Sequence, residues 1–365
     1  MKKYKDLPEL AAELQKLMNS NRDVVVPKER LRVISDSDNK IIKMGIADTD
    51  EKKNAYPLNE YAHSQVSEKT EIPKTYYDRM RERGKVTLLA NNINTWLPEK
   101  DARLIRIQSG QIRAILSNKY RIVDHVPVLN VAFREIKRKI EEEKQRIEPI
   151  DMNLTDIRMY LKFINHSLSD EIFDVTEVSE GKKGDPVNAG IMISNSEVGS
   201  GGFSVTPFIN IIRCTNGLLQ ETKLRIIHIG KELELGEIQW SRRTMELEDE
   251  LLKAKMVDFI DQCFTEKVFR KWVDQINEKA GVVIERPVDA VKNIIKRFGM
   301  AEKVEDDLLN FFAKENNTAW GLSNALTSYA KTVSDYDKQV ELERAGAEVL
   351  ELPEKQLVAL SEAVE

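Results

Sequence analysis

The chain has 365 residues, 41% of them hydrophobic and 32% charged, with a formal net charge of −5. That is enough apolar material for a core and too much for a disordered chain. No apolar run reaches the ~20 residues that span a bilayer, and two cysteines, Cys214 and Cys263, exclude a disulfide framework or a Cys-based zinc module.

The charged start, Met1-Lys2-Lys3, argues against a secretory leader, so a cytoplasmic protein is expected. Leu7, Leu10, Leu14 and Leu17 predict a short amphipathic helix over 7–19. Strand-like sequence follows from Val24 to Ile46, broken at the turn-prone residues 35–39. Residues 58–98 read as helical pieces punctuated by Pro73 and Gly84. Two short runs, 103–108 and 111–116, flank Ser109-Gly110, a two-residue hairpin signal. Asp124 is placed to cap a helix from His125 to Lys144, whose apolar face carries Val126, Leu129, Phe133, Ile136 and Ile140. Strands are predicted at 157–164, 188–194, 203–213 and 223–229, and Asn216-Gly217 reads as a tight turn after the third. Gly181 to Gly184 reads as a surface loop.

From Thr244 the period becomes helical. A long helix through Phe264 is followed by helices at about 287–298, 303–314 and 318–345, with a short last one after Pro353. The predicted fold class is α+β: a mixed, mostly antiparallel sheet body over 1–235 and a helical part over 236–365. Residues 236–365 hold 18 Lys+Arg against 26 Asp+Glu, leaving 38 against 35 for the body, so the acidity belongs to the helical part. Trp320, Leu322, Leu326 and Tyr329 are expected to dock that part on the sheet, with Gly321 allowing close approach.

No Walker loop, H-E-x-x-H, G-x-S-x-G or strand-to-helix G-x-G-x-x-G occurs. The Gly-rich stretch from Asn195 to Gly202 joins two predicted strands and opens no helix. It reads as a flexible hairpin tip, or as a loop whose Gly199, Gly201 and Gly202 let a ligand or nucleic-acid backbone come close. Cys214 has no His or Asp beside it in sequence and reads as a packed strand-end residue. His63, His125, His166 and His228 lack the i, i+3 or i, i+4 spacing that presets a metal pair, so no metal and no cofactor is expected.

The strands carry a sharper pattern. In 157–163, Ile157, Met159, Leu161 and Phe163 alternate with Arg158, Tyr160 and Lys162. If the predicted strands share one sheet, a face presents Arg106, Arg113, Arg158, Tyr160, Lys162 and Arg225. Cations interleaved with an aromatic ring suit single-stranded nucleic acid, by charge for phosphates and a flat surface for bases. The plainer alternative is an ordinary solvated sheet face.

Three segments, Arg113 to Asp124, Arg213 to Leu218 and Thr318 to Thr327, resemble in order the phage/plasmid-like proteins of domain-of-unknown-function family 932. The resemblance implies a phage or mobile-element origin and carries no mechanism. The expected function is a DNA-associated protein binding single-stranded nucleic acid, in replication or recombination by strand annealing, as a homo-oligomer. Two alternatives stay open. One is an enzyme acting on a nucleotide or nucleic acid through Cys214, His228 or acidic residues near the Gly-rich loop. The other is a protein–protein factor such as a host-defence inhibitor.

Overall fold

The computed structural model describes residues 2–36, 38, 40–46, 54–97, 102–173, 184–212, 216–219, 224–226 and 242–362. After β1 (Lys2–Lys3), the leucine stripe folds as α1 (Leu7–Asn19), and the Asp6 carboxylate accepts the Glu9 N–H at its start. Next come β2 (Arg22–Val26), β3 (Leu31–Asp36), β4 (Ile41–Ile46) and β5 (Ala55–Pro57). Strands β3-β4-β5 make a small antiparallel sheet. Helices α2 (Glu60–Lys69), α3 (Lys74–Glu82) and α4 (Val86–Trp96) break where Pro73 and Gly84 predict. Strands β6 (Arg103–Gln108) and β7 (Gln111–Ser117) form the expected hairpin, with φ of 51° at Ser109 and 77° at Gly110, the two positive values of a type I′ turn. With β2 they form a second three-stranded sheet.

These N-terminal elements enclose their own apolar core, in which Tyr77, Leu89, Ile93, Ile105 and Ile112 are buried. His63 of α2 is buried there too, with Nδ1 2.9 Å from the Tyr77 hydroxyl. Burial, helped by the Arg81 charge, lowers its pKa from 6.5 to about 4. The folded chain thus resists protonating this ring more than the unfolded chain does. The stability it protects is fully present above pH 6.5 and is expected to be lost as pH falls towards about 4. Urea midpoints across that window measure the loss. The slope there should flatten in His63→Gln, and an unchanged slope would refute the assignment.

Helix α5 (His125–Glu141) leads into the large sheet: β8 (Ile147–Leu154), β9 (Met159–Ile172), β10 (Asp185–Asn195), β11 (Phe203–Ile211), β12 (Asn216–Leu219) and β13 (Leu224–Ile226). Its strand order is β1-β8-β9-β10-β11-β12, with β13 also on β11, and every pairing is antiparallel. The C-terminal helices are α6 (Arg242–Cys263), α7 (Glu266–Ala280), α8 (Pro287–Arg297), α9 (Glu305–Phe312), α10 (Ala319–Ala330), α11 (Tyr336–Glu351) and α12 (Glu354–Ala359). The molecule is thus α+β, with antiparallel sheets and a helical C-terminal region. No helix among the described residues is long and apolar enough to cross a membrane.

Both faces of the large sheet are covered. Met159, Leu161, Phe163, Ile191, Ile193 and Val205 share one apolar cluster with α5 and the C-terminal helices, including Trp272, Trp320 and Leu326. On the other face Tyr160, Ile164, Met192, Phe208 and Leu219 pack with Tyr336 and Val340 of α11. Trp320, Leu322 and Leu326 are buried as expected, while Tyr329 is half-buried. A Cβ on Gly321 would lie 2.0 Å from the Asn316 carbonyl oxygen, so the close approach does need glycine there.

Several boundaries differ from the sequence reading. The helix expected over 318–345 is two, because Asp335 starts α11 afresh by accepting the Asp337 and Lys338 N–H groups. Helix α7 and strand β8 fall in stretches given no element. Asn216 and Gly217 pair with Ile211 and Asn210 inside β12, so they are strand residues and not the expected turn. Gly181 lies outside the described residues; Asp185 and Pro186, which follow Gly184, already belong to β10.

Candidate functional site

The six residues expected on one basic face divide between two sheets. Arg106 and Arg113 belong to the hairpin sheet of the N-terminal elements, Tyr160, Lys162 and Arg225 to the large sheet, and Arg158 directly precedes β9. Within the large sheet the alternation is right. Tyr160 pairs with Ser194, Ser194 with Ser204 and Ser204 with Arg225, so Tyr160 and Arg225 stand in one cross-strand row, with Lys162 two residues along. The Arg225 side chain lies outside the described residues.

That face meets α11 instead of water. Lys162 Nζ lies 2.6 and 2.7 Å from the two carboxylate oxygens of Glu343, and both side chains are buried. The Tyr160 hydroxyl donates to Asp337 Oδ1 at 2.7 Å, and its ring stands 5.2 Å from that of Tyr336. Burial, reinforced by Asp337, raises the Tyr160 pKa. Arg158 donates to Ser194 Oγ and to the Ser200 carbonyl, with its guanidinium 6.0 Å from the Tyr160 ring centre. These cations are spent on internal partners, so the expectation of an open basic sheet face is corrected. Period-two alternation fixes which residues share a face but not what later covers it.

The hairpin arginines enter a buried polar cluster. Arg106, 1% exposed, reaches Asp23 at 2.9 and 3.0 Å, Asp124 at 2.7 Å and the Glu197 carbonyl at 2.9 Å. Arg113 Nη1 donates to Glu197 Oε2 at 2.7 Å, and the His125 backbone N–H to Glu197 Oε1 at 2.6 Å. Asp124 does precede α5, but its side chain makes no capping bond there because Arg106 holds it. Glu197 takes over that role from the Gly-rich loop, an anion at a helix N-terminus. Burial pushes the Glu197 carboxyl up, but His125, Arg113, the His125 N–H and Arg106 together outweigh it and lower its pKa to about 2. Asn195 Nδ2 donates to the Val123 carbonyl at 2.9 Å and faces His125 Nδ1 at 3.0 Å. His125 Nε2 lies 3.8 Å from Glu197 Oε2.

The Gly-rich loop is therefore pinned and no free hairpin tip. Val198 is fully buried, Gln65 donates to its carbonyl, and the Tyr120 hydroxyl donates to the Ser196 carbonyl. Gly199 and Gly201 adopt φ of 84° and 96°. Added Cβ atoms would meet Leu116 at 2.6 Å and Arg158 at 2.1 Å, so these glycines admit the protein's own side chains. Gly202 is buried beside them.

One side of this cluster opens to a cleft of about 430 Å³. Arg113, His125 and Glu197 line it, with Leu14 and Leu17 of α1, Val126 of α5, Leu154 of β8 and Thr155. The sequence reading pointed at acidic residues near the Gly-rich loop but singled out neither Glu197 nor His125. The available signal was one carboxylate amid Gly and Ser. Cys214 and His228 lie outside the described residues. Cys263 is buried, its thiol pushed up to about 12 by that burial. Among the described residues no three His, Cys, Asp or Glu side chains group as metal ligands.

A second feature lies on α3 and α4. Trp96, the last residue of α4, is 65% exposed. With Lys69, Thr70, Glu71, Tyr76 and Asn92 it lines an open hollow of about 640 Å³. The Arg79 guanidinium stands 5.6 Å from the centre of the Tyr76 ring. Burial, and next the nearby Arg103 charge, lower the Lys69 pKa. In sequence Trp96 carries no signal of exposure, since it follows the buried stripe of Val86, Leu89, Ala90 and Ile93 on the same helix. Compared with protein-family models, curated proteins and solved structures, the chain matches none.

Proposed function

We propose that the protein binds single-stranded nucleic acid, with the hollow at Trp96 as the stacking surface in place of the large sheet. The observation that carries this reading is the exposure of Trp96 beside Tyr76, with cations on the same surface. A large indole facing water gives up the burial that places most tryptophans inside. A strand needs flat rings for its bases and positive charge along its backbone. Arg79 and Arg83 are exposed and Arg103 half-buried on this part of the chain. Glu71 on the rim offsets part of that charge, so binding should be moderate and sensitive to salt. The excess of basic residues in 1–235 and the resemblance to phage/plasmid-like proteins favour the same reading, with replication or recombination as its setting and a homo-oligomer as its form.

Fluorescence anisotropy with a labelled single-stranded oligonucleotide tests it. Trp96→Ala is expected to weaken binding by ~1–3 kcal/mol with little change in salt dependence. Arg79→Ala should flatten the log–log salt slope by ~0.7 if it meets a phosphate. Charge and stacking are thereby separated, and unfolding cannot mimic the contrast. Absence of measurable binding by folded protein at low salt would refute the proposal and favour the protein–protein alternative.

A further inference from the structure

We infer that the cleft beneath the Gly-rich loop, with Arg113, His125 and Glu197 on its floor, is a binding pocket for a nucleobase. Its chemistry differs from that of the Trp96 hollow and does not rest on it. The floor sets an acceptor beside a donor: the ionised Glu197 carboxylate next to the Arg113 guanidinium. Arg113 gives Glu197 a bond from Nη1 alone, which leaves the rest of its five-donor fork for another acceptor. Glu197 in turn has lone pairs beyond the two already used by Arg113 and the His125 N–H.

Charge narrows the ligand further. On the floor the Arg113 cation and the Glu197 anion offset one another at 2.7 Å. A bare phosphate would meet the carboxylate, and a bare cation would meet the guanidinium. A neutral group with N–H donors next to a carbonyl or ring-nitrogen acceptor meets both with the right sign. Leu14, Leu17, Val126 and Leu154 give the cleft one apolar side that suits the face of a flat ring, while Lys2, Glu13, Asn59, Gln108 and Asp156 make the rest of its lining polar. An apolar side, polar groups for a ring edge and a volume of about 430 Å³ together suit a heterocyclic base. Small-molecule sites span roughly 300–1,000 Å³, so the size fits a nucleoside. The base has two possible sources, a free nucleoside or one residue of a strand.

The test titrates the full-length protein calorimetrically with adenosine, guanosine, cytidine and uridine, and separately with short single-stranded oligonucleotides. Leu17→Trp fills the cleft from a half-buried wall position without touching the charge cluster. Saturable binding of at least one nucleoside, with Kd near or below ~1 mM, is expected. Leu17→Trp should weaken it by ~10-fold or more, about 1.4 kcal/mol. A nucleoside signal that Leu17→Trp removes belongs to this cleft, and one that it leaves belongs to another surface. If only oligonucleotides bind and Leu17→Trp still weakens them, the pocket holds a base belonging to a strand. Glu197→Gln, checked for folding, should shift the preference among the four bases, because an amide replaces a pure acceptor. If Leu17→Trp is folded and alters neither nucleoside nor oligonucleotide binding, the inference is overturned.

Discussion

Trp320→Ala is expected to destabilise the protein by ~3–5 kcal/mol, the range for deleting a large aromatic from a packed core. Trp320 is 0% exposed and belongs to the cluster that joins the large sheet to the C-terminal helices. Its indole N–H also donates to Asp185 Oδ2 at 2.8 Å, tying α10 to the start of β10. Alanine therefore removes packing and a charge-assisted hydrogen bond together, and the second loss deprives a carboxylate of a donor. Neighbours cannot collapse freely into the gap, because Gly321 is already pressed against the Asn316 carbonyl. Trp320→Phe keeps much of the ring and should cost clearly less. Denaturant midpoints for the two variants decide the matter, and an unshifted midpoint in Trp320→Ala would contradict this account of the core.

The second large effect concerns Lys162 and Glu343. Their side chains are 7% and 11% exposed and join β9 to α11. Lys162→Met alone strands the Glu343 carboxylate in a nearly dry site, with an expected loss of ~3–5 kcal/mol. Glu343→Leu alone strands the ammonium in the same way. The double variant Lys162→Met/Glu343→Leu leaves neither charge behind and should recover most of the stability, since well-packed apolar pairs replace buried ion pairs at little cost. A double-mutant cycle by urea denaturation reads the coupling. Additive losses would mean that water reaches the pair. Near-neutral single variants would mean that the face is open, which would revive the sheet as a phosphate-binding surface.

How far the sequence is legible follows the range of the forces involved. The hairpin at Ser109-Gly110, the α1 stripe and the α5 face were readable because each is set by residues within a few positions of one another. The alternation of Arg158, Tyr160 and Lys162 was readable for the same reason. What those side chains do was not, since Lys162 finds Glu343 and Tyr160 finds Asp337 across distances of 181 and 177 residues. A lysine on a strand reads as a solvated residue until the helix above it is known. Helix α7 escaped notice although Phe269, Trp272, Val273 and Ile276 keep helical spacing, and β8 was hidden by the Pro and acidic residues that break its alternation. Asn216-Gly217 misled because turn propensity is a local preference, which the pairing with β11 overrides. Of the cleft, only the loop was visible. Its function as a clamp on Arg106, Arg113 and the first turn of α5 needed three separate segments to be brought together.

The polar row beneath α11 has a consequence for how the chain is made. Ribosomes add roughly 5–20 residues per second. Strand β9 therefore leaves the exit tunnel roughly 10–40 seconds before the Glu343 that will neutralise Lys162, a spacing of 181 residues. During that interval the nascent sheet shows water a charged and hydroxyl-bearing row in place of a wholly apolar surface. Such a face stays hydrated and resists sticking to neighbouring nascent chains until its helix arrives. The ion pair is thus costly to split in the finished protein, and its unpaired lysine is an asset to the unfinished one.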